Sequence, residues 1–179
     1  MSQTNGNNTL NNTTQGNGAG SRRVVITGLG AITPVGLDVA STWDALINGR
    51  SGIKHVDRFD TSSLRTTFAG QVEGFDPGNY MDRKEARRLD LYIQYALAAT
   101  KEAIADSGLD LAQEDPIDTG VIIGAGIGGV QSLLEGAEVA AEKGLPRISP
   151  FMVPNMLIDS AAGKVAIEYN LHGPNHAVV

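Results

Sequence analysis

Apolar positions along this chain switch between two periods. From Arg22 the run RRVVITGLG is β-branched and closes on Gly28 and Gly30, which predicts a buried parallel strand entering a tight turn. Val39, Trp43, Leu46 and Ile47 then recur at helical spacing up to Gly49, which predicts a helix with one apolar face and a glycine stop. Residues 50–80 are irregular, with one strand expected over Thr66 to Val72. A long helix is expected from Arg83 to Ser107. Its buried stripe is Leu89, Tyr92, Ile93, Ala96, Leu97, Thr100 and Ile104, and Gly108 ends it. TGVIIGA, Thr119 to Ala125, reads as a second fully buried strand. Val130, Leu133, Leu134, Ala137 and Ala141 mark the next helix. After a turn at SPFMVPN, Pro154 suits the first turn of a last helix running to about Tyr169. The middle of that helix, Ala161-Ala162-Gly163, has almost no side-chain bulk, so a neighbour is expected to pack close. A third strand is expected from Ala177 to Val179.

Strands alternating with helices predict an α/β fold with a largely parallel sheet. Three strands, apolar on both faces, leave apolar surface and open edges. The expected architecture is therefore part of a larger unit, and the chain by itself is expected to fold poorly or aggregate. Residues 2–21 are nearly all Asn, Thr, Gly, Gln and Ser, too polar to offset chain entropy, so residues 1–21 are expected to be a disordered tail. The sequons at Asn7, Asn11 and Asn12 are read as unmodified, because no secretory signal precedes them.

Composition narrows the function classes. Apolar residues make up 41% of the 179 positions, enough for a core. The net charge of −6 argues against a general polyanion-binding role, although a local basic patch remains compatible with it. The chain has no cysteine, which excludes a disulfide, a thiolate metal site and a cysteine nucleophile within these residues. No apolar run reaches the roughly 18 residues of a membrane span. A cytoplasmic protein without membrane or nucleic-acid contacts is expected.

Three motifs carry possible chemistry. Gly124-Ala125-Gly126-Ile127-Gly128-Gly129 matches G-x-G-x-x-G between a strand and a helix, the formal context of a dinucleotide fingerprint. The acidic residue expected about 20 residues on is missing from a strand, since Glu142 lies on the helix. Glu168, His172 and His176 are four apart, like helical metal ligands, but Gly173-Pro174 breaks any helix between the histidines. Surface or core histidines are the better reading, and no metal is expected. Asp82 to Arg88, DRKEARR, holds four of the fourteen Lys and Arg residues. Lys84, Arg87 and Arg88 share a helical face at i, i+3, i+4. Cations at a helix N-terminus oppose the macrodipole, so a basic face there suggests a dock for an acidic partner as well as a solvated helix start.

Taken in order, VVITGLGAITPVG (24–36), FDTSSL (59–64), RKEARRLD (83–90), IGAGIGG (123–129), ISPFMVPN (148–155) and HGPNHAVV (172–179) resemble the amino-terminal part of a β-ketoacyl-acyl carrier protein synthase, of the type II elongating kind. The resemblance runs from about Arg22 to Val179, less than half of a complete family member. It implies an α/β fold, the incomplete first half of a thiolase-like αβαβα layered structure, usually in a homodimer. It implies that the last strand leads to a cysteine nucleophile at a helix N-terminus, where the thiolate is favoured. Two catalytic histidines come from the other half, and His172 and His176 match neither. No catalytic residue is therefore expected among these 179, and the chain alone is expected to be inactive.

The resemblance also implies secondary sites. Lys84, Arg87 and Arg88, with Arg147 as a further candidate, match the surface that docks the acidic acyl carrier protein. Ile127 matches the gate of the acyl pocket. Phe151, Met152 and Met156 lie where such enzymes form the dimer interface and the far pocket wall, and ordinary core packing is an equal reading for them. Acyl and malonyl thioesters are the implied substrates, with no cofactor. Two rivals stay open: a non-catalytic carrier-docking or chain-length-factor-like subunit, and a dinucleotide-binding enzyme.

Overall fold

The computed structural model describes residues 23–179, so the expected disordered tail lies outside the described residues. Helix α1, Val39–Ile47, begins at Asp38, whose Oδ1 accepts the Ser41 N–H at 2.6 Å. Ser41 hydrogen bonding holds the Asp38 carboxyl below its ordinary pKa. Strands β1, Ile53–His55, and β2, Phe68–Gly70, pair antiparallel. A one-turn helix α2, Arg83–Ala86, precedes the long helix α3, Leu91–Ser107, which Gly108 closes at φ 65°. Strand β3, Val121–Gly124, leads into α4, Val130–Lys143. The short α5, Met152–Met156, is followed by α6, Ser160–Tyr169, and by β4, Asn175–Val178. Strand β4 lies parallel to β3, with Val121 opposite Asn175 and Gly124 opposite Val178.

The core is the contact between α3 and α6 on one face of β3. Ile93 and Leu97 meet Ala161, Ala162 and Val165, and Val121 closes the cluster. Ile93 is fully buried, which stabilises by about 1.5–3 kcal/mol relative to exposure. Ala161 and Ala162 are also fully buried, so the small residues do admit a close neighbour there. Gly163 does not follow them, since a Cβ at that position would meet nothing.

Several expected elements differ in the structure. The strand expected from Arg22 does not form among residues 23–30, and Val24, Val25 and Ile26 are exposed. A strand needs a ladder, and the backbone here is used otherwise. Leu29 and Ala31 donate their N–H groups to Asp106 and Glu102 of α3, each at 2.9 Å. Gly28 and Gly30 lie against the α3 backbone, where a Cβ would clash with the Ala103 and Ala99 carbonyls. The helix expected over 83–107 is two helices, broken at Asp90. The helix expected from Pro154 is also two, broken between Met156 and Ser160. Strand β3 is buried on one face only, with Ile122 69% exposed on the other. The apolar face expected of α1 is open too, since Trp43, Leu46 and Ile47 are exposed and Ala45 alone is buried. The last strand starts at Asn175, two residues before the expected position.

Ile122 and Val178 thus present an uncovered sheet face, next to the open strand edges of a two-stranded sheet. Such faces drive association. The purified 179-residue chain should bind a hydrophobic dye and elute from size exclusion ahead of a monomer. A sharp, cooperative melt of a dye-free monomer would contradict this.

Candidate functional site: a basic cleft where two helices begin

Helix α2 is a single turn because both of its ends are fixed nearby. Asp82 Oδ1 accepts the N–H groups of Lys84 at 2.8 Å and Glu85 at 3.1 Å. Arg88 N–H already returns to Glu85 O at 2.8 Å, closing the turn. Arg87 is the C-terminal cap of α2 and Arg88 follows it. The two arginines therefore sit at the carbonyl end of a helix, where the dipole favours cations. This corrects the sequence expectation, which placed them at a helix N-terminus on one face with Lys84.

Asp90 then starts α3 and reaches further. Its Oδ1 accepts Tyr92 N–H at 3.4 Å. Its Oδ2 accepts the N–H of Ser132 at 3.1 Å and the Ser132 hydroxyl at 2.7 Å. Ser132 lies in the first turn of α4, whose own cap residue is Gly129 and supplies no side chain. One carboxylate, 9% exposed, thus caps the helix it precedes and a second helix through Ser132, 42 residues on. Asn155 completes the junction by donating from Nδ2 to Arg88 O at 2.8 Å. Tyr92 donates its hydroxyl to Leu157 O. Burial, ahead of the neighbouring Asp90 charge, pushes the Tyr92 phenol above its ordinary pKa, so it remains a donor at neutral pH.

Two clefts flank this junction. The first, about 530 Å³, brings together Arg87, Arg88, Arg147, Phe151 and Met152. The second, about 840 Å³, is more apolar and includes Lys84, Leu89, Phe151, Leu157 and Ile167. Arg88 and Phe151 border both, and the Arg88 guanidinium carbon lies 5.3 Å from the Phe151 ring centre. Among the described residues, Lys84, Arg87, Arg88 and Arg147 have no carboxylate within ion-pair distance, whereas Lys164 pairs with Glu85 at 2.6 Å. Met152 packs its sulfur onto Gly136 of α4. Met156 is half-buried, and its carbonyl accepts Gly129 N–H at 3.3 Å. Ile127 is 70% exposed on the β3–α4 loop and lines neither cleft.

Asp90 and Asn155 escaped the sequence reading. Asp90 did carry a signal, a capping residue just before an apolar period. Nothing local marks Asn155.

The glycine-rich loop is not arranged as a phosphate cradle. In that motif the helix N-terminus faces the pyrophosphate, but here the Asp90 carboxylate occupies the start of α4. Gly129 N–H is spent on Met156 O and Ala125 N–H on Val178 O, at 2.9 Å. Glu168, His172 and His176 fall on α6, on the loop after Asn170, and on β4. The described residues hold no group of three or more metal-ligating side chains. No described helix is long and apolar enough to cross a membrane.

Comparison with known proteins adds family information to this geometry. The family model "Beta-ketoacyl synthase, N-terminal domain" matches residues 21–179. A 3-oxoacyl-[acyl-carrier-protein] synthase 2 of Vibrio cholerae is 46% identical over 157 residues, 88% of this chain and 38% of that protein. The chain therefore spans well under half the length of this curated relative. Among solved structures, the ishigamide ketosynthase/chain length factor superposes with a TM-score of 0.75 at 25% identity, over 88% of this chain and 40% of that one. The AntDE ketosynthase, solved with the AntF type II PKS acyl-carrier protein, gives 0.67 at 21% identity, over 86% and 40%.

Two substitution series test the junction. Asp90→Ala should cost about 2–4 kcal/mol in urea unfolding of the chain tethered at low density, where copies cannot associate, since it uncaps two helices and strands the Ser132 donors. A loss below about 0.5 kcal/mol would refute the shared cap. Gly129→Ala should destabilise strongly, because its Cβ would overlap Asn155 O and lie 2.9 Å from Asp90 Oδ2. Gly126→Ala, which meets nothing within 4 Å, should be nearly neutral. Equal effects at the two positions would mean the loop is not held by packing.

Proposed function

The chain belongs to the beta-ketoacyl synthase family through its N-terminal domain, and on that premise we propose that it supplies the carrier-docking and pocket-lining part of a 3-oxoacyl-[acyl-carrier-protein] synthase. In this reading residues 22–179 form the N-terminal synthase domain. The whole enzyme takes an acyl chain onto a cysteine, decarboxylates a malonyl-carrier thioester, and joins the two with loss of carbon dioxide. A cysteine nucleophile is not among these 179 residues, which contain no cysteine, and in this reading its histidine partners come from the rest of the enzyme. The part played here is recognition and shape.

One observation carries the proposal. Arg87, Arg88 and Arg147 line a single cleft without ion-pair partners among the described residues and outnumber its two carboxylates, Asp90 and Glu135, on a chain whose net charge is −6. Unpaired arginines are an unsatisfied demand for anions, and complementary charge steers an acidic partner to that face. A ketosynthase of the same fold has been solved with its acyl-carrier protein, which supports a carrier as that partner. Lys84, on the adjoining cleft, extends the basic surface. Ile127 serves as the pocket gate, its exposed apolar side chain free to meet an acyl chain. Phe151, Met152 and Met156 form pocket wall and dimer surface in a cytoplasmic homodimer. The synthase names of the curated relatives favour this over a chain-length-factor-like subunit.

The test is titration of acyl carrier protein over the 179-residue chain tethered at low density. Binding should weaken about tenfold or more in the double variant Arg87→Glu, Arg147→Glu, at about 1 kcal/mol per contact. It should also weaken as salt rises. Equal binding by both chains would overturn the docking surface. Acyl and malonyl thioesters incubated with the same chain should give no 3-oxoacyl product. Turnover above a blank would show that the chemistry does not need the cysteine.

A further inference from the structure

Arg88 stands apart from the other three candidate docking cations. It is the one that borders both clefts, and its guanidinium is laid over an aromatic ring instead of projecting freely. Its backbone is pinned independently, since its carbonyl accepts the Asn155 amide at 2.8 Å and its N–H returns to Glu85. The side chain can therefore swing while the turn stays in place. Phe151, the ring beneath it, lines both the basic cleft and the more apolar cleft of about 840 Å³, as do Leu89 and Asn155.

We propose that Arg88 is a positioning residue that couples partner recognition to the wall between the clefts: an acidic group entering the basic cleft draws the guanidinium off Phe151 and frees the ring to move. This rests on the docking reading above and goes beyond it by linking docking to pocket shape. The physical basis is competition for one cation. A carboxylate offers the guanidinium two parallel charge-assisted hydrogen bonds, which an aromatic face cannot match. By linkage, a partner that must break the Arg88–Phe151 contact binds less tightly by the strength of that contact. Removing the ring should therefore improve partner binding. A merely structural role for Phe151 gives the opposite sign or no change.

The experiment uses the 179-residue chain labelled with 4-fluorophenylalanine, tethered to beads at low density as in the titration so that copies cannot associate, and read by magic-angle-spinning fluorine NMR. Its four phenylalanines give four fluorine signals, and Phe151→Leu assigns the one of interest. Saturation with acyl carrier protein should move the Phe151 signal and leave those of Phe59, Phe68 and Phe75 in place. Arg88→Gln should put the Phe151 signal of the free chain close to the position reached by the parent chain in complex. Phe151→Leu should bind the carrier about two- to fivefold tighter. Carrier binding with an unmoved Phe151 signal would overturn the coupling and leave the docking reading standing. Absence of any carrier binding would overturn both. An Arg88→Gln chain with an unshifted Phe151 signal would show that the ring does not respond to the guanidinium, and would also overturn the coupling.

Discussion

The Asp90 carboxylate is the constraint on which the rest of this site depends. A helix N-terminus carries about half a positive charge, from N–H groups that the helix cannot satisfy. Two such ends, those of α3 and α4, converge on one carboxylate. Their combined field is comparable to the single negative charge they enclose. That balance lets an acid sit 9% exposed without a lysine or arginine as counter-ion. It also leaves the neighbouring arginines out of ion pairs among the described residues. Had Asp90 been paired with Arg87 or Arg88, one of the three cleft arginines would have been taken up.

The same junction sets distances among the parts proposed to act together. Arg87 and Arg88 precede Asp90 directly. The β3–α4 loop bearing Ile127 ends where Ser132 is held. Segment α5, with Phe151 and Met152 at its start, is tied back through Asn155 to the Arg88 carbonyl. The Arg87–Arg88 turn, the β3–α4 loop and α5 are three strips of chain far apart in sequence, joined through a few buried polar contacts. Buried polar networks of this kind specify geometry more than they add net stability, because each group leaves water to enter them.

Element types were legible in the sequence where the information was local. The stripe through Leu89, Ile93 and Leu97 emerges as the core face, and Gly108 ends α3 as expected. The break at Asp90 was legible but outweighed, because Arg87, Arg88 and Leu89 are all good helix formers and the periodic stripe runs past them. The run VVIT was misread for a different reason. Its β-branched residues fit a pleated surface, but strand formation is a property of a pair, and no described strand pairs with it. Strand β1, at three residues, was too short to show a period. The cleft itself was not legible from pattern. Arg87 and Arg147 are far apart in sequence, and Arg147 entered the reading through family resemblance, with no periodicity to mark it.

Net charge and local field point in opposite directions here, and distance decides between them. At low salt the screening length is about 30 Å, and an approaching acidic partner senses the whole chain at −6. Near 0.15 M it is about 8 Å, and the partner senses chiefly what lies at the contact. The three arginines of the cleft, none of them in an ion pair among the described residues, then outnumber the Asp90 and Glu135 carboxylates that share its lining. A basic cleft on an acidic protein therefore discriminates by position. Such an arrangement repels acidic molecules that approach any other face, and it would favour one that arrives at the cleft, as the proposed docking requires.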